Sequence, residues 1–308
     1  MPIGSGNLNI VIGLVGHGRW GQRHLATLLN LKSEGHISEV YVCDIDPKRL
    51  EALPEAVNGT FTSFTTMLDE VRIDALAIVT PPESHLTLAT QALEREIPLL
   101  VEKPLSTDLS ETSTFLDHLS VNATMIVGYL LRHHPGVEKM IAHYSAKDLS
   151  PPRRFQYMRH TPRERPQGAH PIETLAVHAL DLCSLFLKSP LRTFDVGTLL
   201  TTEESAFIEL QGEDGRSATI DVAWGAGHEV RALSISGAED EMELDFGTNR
   251  LIHRHFGTQH DTVLDVGQGQ PLDNEWRCLL SAITEPKTVL LPSRNELLDH
   301  AHWLHTHR

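Results

Sequence analysis

Residues 9–24 read NIVIGLVGHGRWGQRH. After Asn9 the run IVIGLV is free of polar side chains and rich in β-branched ones, as in a strand buried on both faces of a parallel sheet. The segment that follows, GRWGQRHLATLLNL, sets Leu25, Leu28 and Leu29 on one helical face. Between strand and helix stands GxGxxG at Gly16, Gly18 and Gly21, with His17, Arg19 and Trp20 completing the loop. A glycine pattern alone says little, but here it sits where a buried strand gives way to a helix. In that setting Gly16 makes the tight turn, Gly18 lets the backbone approach a pyrophosphate, and Gly21 lets helix pack closely on strand. The helix N-terminus adds free N–H groups and partial positive charge.

Working outward, EVYVCD (39–44), ALAIVT (75–80), PLLVEK (98–103) and ATMIVGY (123–129) repeat the short apolar run, each separated from the next by a helical stretch. Strands alternating with helices give βαβ units, a parallel sheet and right-handed crossovers: a doubly wound Rossmann α/β domain over residues 1–127. Asp44 ends the second strand about 20 residues beyond Gly21, where an acidic side chain accepts hydrogen bonds from the adenosine ribose. A carboxylate there repels a 2′-phosphate. The expectation is NAD rather than NADP, with Lys48 and Arg49 as the residues able to shelter a phosphate.

Past Tyr129 the alternation stops, and SPPRRFQYMRHTPRERPQG (150–168) breaks it altogether. Residues 128–308 are expected to form a second, α+β domain. It has one clear helix from Ile172 to Leu187 and a last one from Arg294 to His305. Between them AFIELQ (206–211), RSATIDVAW (216–224) and VRALSISG (230–237) alternate apolar with polar residues, as a one-face-buried, mostly antiparallel sheet does.

The composition, 40% hydrophobic and 22% charged over 308 residues, is that of a globular chain of two domains. Cys43, Cys183 and Cys278 are too few and too scattered for a disulfide framework or a paired metal site. No signal peptide is recognisable, and no apolar run nears the roughly 18 residues of a membrane span. The expectation is a cytoplasmic protein. A formal charge of −15 turns it away from nucleic acid and toward a small-molecule partner. His300, His302, His305 and His307 are read as a polar helix end, with no metal expected.

VTPPESH (79–85) and VEKP (101–104), coming after GHGRWGQRH (16–24), resemble the Gfo/Idh/MocA family of sugar and cyclitol oxidoreductases, and the likeness runs along nearly the whole chain. The resemblance implies Lys103 in the catalytic position, Thr80 and Pro81 at the nicotinamide side with His85 among the cofactor contacts, and Glu102 against the cofactor. GYLLRHHP (128–135) is similar to the segment that crosses into the family's second domain, an open sheet covered by helices. This makes Arg132 and His134 substrate contacts; His134 is equally read as a surface histidine. ETLAVHALDL (173–182) resembles the catalytic helix and makes His178 the base. Four residues before it, where the family has aspartate, stands Thr174. Threonine can orient an imidazole but carries no charge to stabilise an imidazolium. Glu173, about 100° away around an α-helix, and Asp181, three residues on, are the two carboxylates able to substitute in part; Asp181 is read rather as a helix or domain-contact residue. Without the resemblance, Lys103 is as well an ordinary strand-end lysine and His178 a core histidine.

Arg153, Arg154, Arg159, Arg163 and Arg165 crowd one short stretch of an acidic chain. Arginine forks match phosphate oxygens. The cluster is expected to grip the diphosphate of a nucleotide sugar, with a solvated loop or an oligomer contact as the alternative. LAVHALDL and the strands after it look like the branch that oxidises UDP-linked N-acetylglucosamine sugars at C3. Free hexoses, inositols and other cyclic polyols are the alternative substrates, and a non-catalytic NAD-binding regulator is the rival that Thr174 keeps open. The resemblance also implies a homodimer or homotetramer.

Overall fold

The computed structural model describes residues 9–146, 149–258, 260–285 and 288–307. The chain divides into two compact units, Met1–Gly128 with Leu272–Arg294, and Tyr129–Pro271 with Asn295–Arg308.

Among the described residues, the first unit carries a seven-stranded parallel sheet. Its strands are β1 (Val11–Val15), β2 (Glu39–Cys43), β3 (Gly59–Phe61), β4 (Ala75–Ile78), β5 (Leu99–Val101), β6 (Met125–Val127) and, far along the chain, β15 (Leu290–Leu291). The order β15-β6-β5-β4-β1-β2-β3 reverses direction at β1, so the glycine loop that follows β1 opens at the switch point where doubly wound sheets bind ligands. Helices α1 (Arg19–Ser33), α2 (Phe64–Glu70), α3 (His85–Leu93) and α4 (Leu109–His118) connect these strands. Leu25, Leu28 and Leu31 of α1 pack with Ile12, Leu14, Val40 and Val42 into one core, while Leu29 lies at its margin.

That core is completed by Trp276, Leu279 and Leu280 of α7 (Pro271–Thr284), and β15 pairs in parallel with β6. The sequence reading carries this segment in the second domain. Its apolar stripe, Trp276, Leu279 and Leu280, is buried in the cluster around Ile12, Leu14, Val40 and Val42, which ties the segment to the first unit.

The second unit is built on an eight-stranded sheet in the order β14-β13-β12-β11-β7-β10-β9-β8. The strands are β7 (Arg154–His160), β8 (Phe194–Thr201), β9 (Ser205–Gly212), β10 (Ser217–Ala223), β11 (Val230–Ser236), β12 (Asp240–Asp245), β13 (Arg250–His255) and β14 (Thr262–Leu264). All neighbours are antiparallel except β7 and β10. The Pro- and Arg-rich stretch that breaks the alternation therefore holds a central strand. Its prolines fall outside Arg154–His160, and within it Phe155 and Tyr157 are buried between exposed neighbours. Helices α5 (Pro135–Ser145), α6 (Val177–Leu187) and α8 (Arg294–His307) belong to this unit, and α6 packs on β7 and β10. No helix among the described residues is long and apolar enough to cross a membrane.

Candidate active site

Two of the loop's three glycines, Gly16 and Gly21, are required by geometry. Gly16 has φ +94°, and a Cβ on it would lie 2.5 Å from the Val79 carbonyl oxygen; its N–H donates to Cys43 O at 2.8 Å. A Cβ on Gly21 would run into the Gly16 carbonyl and stand 2.9 Å from its carbon. Gly18 differs: a Cβ there meets only Arg49 Nη1, at 3.6 Å, so the space beside it is open. Gly18 is also the N-cap of α1, which has no side-chain cap and no acidic residue in its first turn. Its amides are left for an anion, as a pyrophosphate requires. Arg19 is exposed at the first position of α1.

Asp44 is buried at the tip of β2. Its Oδ2 accepts from the His17 N–H at 2.7 Å, its Oδ1 from the Asp46 N–H at 2.9 Å, and Arg49 Nη1 stands 3.6 Å from Oδ2. The His17 ring donates from Nδ1 to Arg49 O at 2.7 Å. Loop and acidic residue are thus tied into one rim.

Glu102 is the hub of the VEKP turn. Its carboxylate accepts from Trp20 Nε1, from His24 Nε2 at 3.1 Å and from the Lys103 N–H at 3.1 Å. The indole N–H of Trp276 points at His24 Nδ1 from 3.2 Å. An indole can only donate, so Nδ1 accepts and the His24 proton sits on Nε2, aimed at Glu102. Burial pushes the Glu102 pKa up, but the bond from His24, the charge of Lys103 and the bond from Trp20 prevail, and it falls below the usual carboxylate range. Its neighbour Glu275 is wholly buried; burial and the Glu102 charge raise its pKa well above normal and so favour the neutral carboxyl. Neither His24, Trp276 nor Glu275 was singled out by the sequence reading, and only the spatial contact identifies them.

Lys103 follows Glu102 at the end of β5, half-buried, with a cis bond to Pro104. The His85 ring lies between the carbonyls of Thr80 (Nε2, 2.8 Å) and Pro104 (Nδ1, 3.0 Å), and so staples the TPP turn to the EKP turn. Burial lowers the His85 pKa, so at neutral pH one of the two contacts carries a proton. Ser84 Oγ donates to Thr80 Oγ1 at 2.7 Å, and Pro81 is exposed.

In the second unit, α6 is preceded by a π-helical turn, Ile172–Ala176, in which the Val177 N–H reaches back five residues to Ile172 O. From Pro171 to Ser184 every residue is buried except Glu173, Thr174 and His178. The Thr174 hydroxyl donates to His170 O at 2.6 Å, and Tyr129 meets the His178 ring edge-on at 6.4 Å between centroids. Asp181, one turn on, belongs to another network. Arg132 Nε and Nη2 donate to it at 2.7–3.0 Å, Nη2 also reaches Glu296 at 2.7 Å, and His300 Nε2 stands 3.5 Å away. Arg132 is 8% exposed, so its guanidinium is spent internally and is not among the groups facing solvent. His300 is likewise buried, not part of a solvated helix end. Among the described residues no group of three or more His, Cys, Asp or Glu is placed to hold a metal.

The arginine cluster does not act as a unit. Arg153 and Arg154 are exposed, and Arg154 points to the face opposite Phe155. Arg165 binds Glu203 and the Ala169 carbonyl. Arg159 continues the buried face of β7, directly opposite Arg231 of β11 in the ladder. The sequence signal for Arg231 was a charge at an inward position of RALSIS, in phase with the buried Leu233 and Ile235. Burial and then the charge of Arg159 lower the Arg231 pKa, with Arg163 adding to the repulsion. Glu229 pairs with Arg159, and the Asp245 carboxylate is taken by the N–H groups of Gly247 and Thr248. His134 lies beside this pair. Its Nδ1 accepts from Gly136 N–H at 3.1 Å, its ring meets Phe246 at 4.9 Å, and burial followed by the Arg231 charge pushes its pKa down to about 4.

Comparison with known proteins agrees with the fold. Residues 10–129 match the family described as "Oxidoreductase family, NAD-binding Rossmann fold", the Gfo/Idh/MocA family. The chain is 25% identical to a UDP-N-acetylglucosamine 3-dehydrogenase from Acidithiobacillus ferrooxidans over 74% of its own length and 75% of that protein's. The solved structure of that enzyme superposes with a TM-score of 0.78, covering 97% of both chains at 22% identity. An inositol 2-dehydrogenase from Saccharopolyspora erythraea is 34% identical, over only 42% of this chain and 39% of its own. A 3-ketoreductase from Actinomadura kijaniata, solved with NADP and TDP-benzene, shares the fold at a TM-score of 0.79 and 14% identity, with 96% of each chain covered. The match sets the NAD-binding domain, residues 10–129, beside those of the Gfo/Idh/MocA oxidoreductases and covers less than half of the chain.

Proposed function

We propose that the protein oxidises a secondary hydroxyl of a nucleotide-linked sugar to a ketone, with C3 of a UDP-linked N-acetylglucosamine sugar as the preferred position. The observation that carries this reading is the pair Arg159 and Arg231. Like charges directly opposite in a ladder destabilise it, and this pair lies on the face of the sheet that α6 covers. A diphosphate turns that repulsion into bidentate attraction. An uncharged inositol or hexose brings hydroxyl acceptors but no charge to balance the two guanidinium groups. The relative from Acidithiobacillus ferrooxidans, named for a UDP-sugar substrate, supports the same choice.

The glycine loop would hold NAD, which when bound would supply the hydride acceptor. Gly16, Gly18 and Gly21 with the first turn of α1 hold its pyrophosphate, and Asp44 takes the ribose hydroxyls and repels a 2′-phosphate. Thr80, Pro81, His85 and Glu102 shape the nicotinamide side. Lys103 holds the reacting oxygen and stabilises the developing alkoxide, while His178 takes its proton. Arg159, Arg231 and Arg163 grip the diphosphate, and that remote binding energy orients the hydroxyl; His134 contacts the sugar. The test follows reduced-nicotinamide absorbance with UDP-N-acetylglucosamine, inositol and free hexoses in parallel. Turnover confined to the nucleotide sugar is expected. Turnover of inositol or hexose that is insensitive to Arg231→Gln would overturn the reading.

A further inference from the structure

The backbone around Lys103 is held from both sides. Its own N–H donates to Glu102 Oε2 at 3.1 Å, and the carbonyl of Pro104, the next residue, faces His85 Nδ1 at 3.0 Å. The Glu102 carboxylate is itself fixed. Its Oε1 accepts from the Trp20 indole and from His24 Nε2, the latter at 3.1 Å. Gly128, just past β6, brings bare backbone against its other side: a Cβ there would stand 3.1 Å from Cδ, Oε1 and Oε2 alike.

The imidazole that reaches Glu102 has little freedom to turn. His24 is wholly buried and wedged edge-on between Trp20 and Trp276, at 6.1 and 5.9 Å between ring centroids. The Trp276 indole N–H points at its Nδ1 from 3.2 Å. An indole donates and never accepts, so Nδ1 offers its lone pair and the proton goes to Nε2. With the proton on Nδ1, two N–H groups would face each other and Nε2 would turn a lone pair toward the carboxylate. Buried polar atoms would then lack partners at both ends of the ring.

We infer that Trp276 and His24 are positioning residues for Lys103: the indole sets the imidazole tautomer, the imidazole sets the Glu102 carboxylate, and the carboxylate sets the backbone that carries the lysine. The inference rests on Lys103 holding the reacting oxygen. Neither positioning residue touches the substrate. The Lys103 charge also helps to hold Glu102 ionised, and that attraction is mutual. The α7 segment thus does more than fill the core of the first unit. A phenylalanine fills the same space but has no N–H to give.

The experiment measures turnover of UDP-N-acetylglucosamine, thermal melting and the His24 ring ¹⁵N signals in wild type, Trp276→Phe, His24→Gln, His24→Leu and Lys103→Met. Subtracting the His24→Gln spectrum picks out His24 among 19 histidines. Wild type is expected to carry the proton on Nε2 alone, and Trp276→Phe to place part of it on Nδ1 with a smaller loss of kcat than His24→Leu. Misplacing a catalytic group by about 1 Å costs about 100-fold in rate, so kcat and kcat/KM in His24→Leu should fall together by about 10–100-fold. Glutamine offers an N–H toward Glu102 and a carbonyl toward Trp276, so His24→Gln should recover most of that loss. A proton on Nδ1 in wild type, an unchanged tautomer in Trp276→Phe, or equal losses in His24→Gln and His24→Leu would overturn the inference. If His24→Leu does not fold, the tautomer in Trp276→Phe and the turnover of His24→Gln still decide it. An active Lys103→Met protein would overturn the reading it rests on, whatever His24 does.

Discussion

Alanine at Gly18 should leave the protein folded and weaken its hold on NAD, whereas alanine at Gly21 should unsettle the fold itself. At Gly18 the backbone, φ −72° and ψ −169°, suits any residue, and the new methyl makes only an ordinary contact with Arg49 Nη1 at 3.6 Å. The cofactor-free protein should then melt within the shift that about 0.5 kcal/mol produces. The methyl does occupy the gap beside the first turn of α1. Holding the pyrophosphate off one charge-assisted amide contact costs about 1.5–3 kcal/mol, or roughly 10–100-fold in Kd. At Gly21 the methyl collides with the rigid Gly16 carbonyl, so β1 and α1 must separate; overpacking of this kind costs about 1–3 kcal/mol before any ligand is added. Thermal melts without cofactor, followed by calorimetric titration with NAD, separate the two. A Gly18→Ala protein that binds NAD as tightly as wild type, or melts as early as Gly21→Ala, would refute the idea of an open cradle at Gly18.

Arg231→Gln should raise KM for UDP-N-acetylglucosamine about 10–100-fold, the loss of one charged hydrogen bond or more, with the difference narrowing as salt rises; an unchanged KM counts against the arginine pair. Arg132→Met strands the buried Asp181 carboxylate, so it should cost about 3–5 kcal/mol of stability in a denaturation curve; a KM effect with no loss of stability would instead return Arg132 to the substrate grip. Burial, aided by Arg132 at His133 and Arg231 at His134, brings both imidazoles down to about 4 from 6.5. The unfolded chain then binds protons that the folded chain refuses, so stability falls as pH drops from about 6.5 to about 4. The melting temperature should flatten across that window in His133→Gln, and an equally steep slope would exclude the buried histidines as its cause.

The Rossmann half was legible because its signals are local. A β-branched run, three glycines and an acid at the next strand end lie within one βαβ unit, and Gly16 and Gly21 prove sterically fixed. What was not legible is what depends on distance along the chain. Arg159 and Arg231 meet only through the pairing of β7 with β11. Trp276 reaches His24 across 252 positions. β7 itself was hidden because prolines flank it, arginines lie within it, and its inward residues are Phe155, Tyr157 and one of those arginines, Arg159. β15 is too short to show any period. The π-turn leaves no mark in a helical pattern either, since one extra residue in a turn changes which side chains align without changing their composition.

The chain crosses between its two units three times, after Gly128, after Pro271 and after Arg294. During synthesis the first six strands emerge early, yet the β6 edge lacks its neighbour and His24 lacks its tryptophan until α7 and β15 have also left the ribosome. A nascent chain halted at residue 128 therefore holds the glycine loop without the parts that finish the sheet and lock the His24 tautomer. The nucleotide-binding half is in this sense not a cassette. A graft cut at residue 128 would transfer the recognisable motif and leave behind the last strand of its own fold.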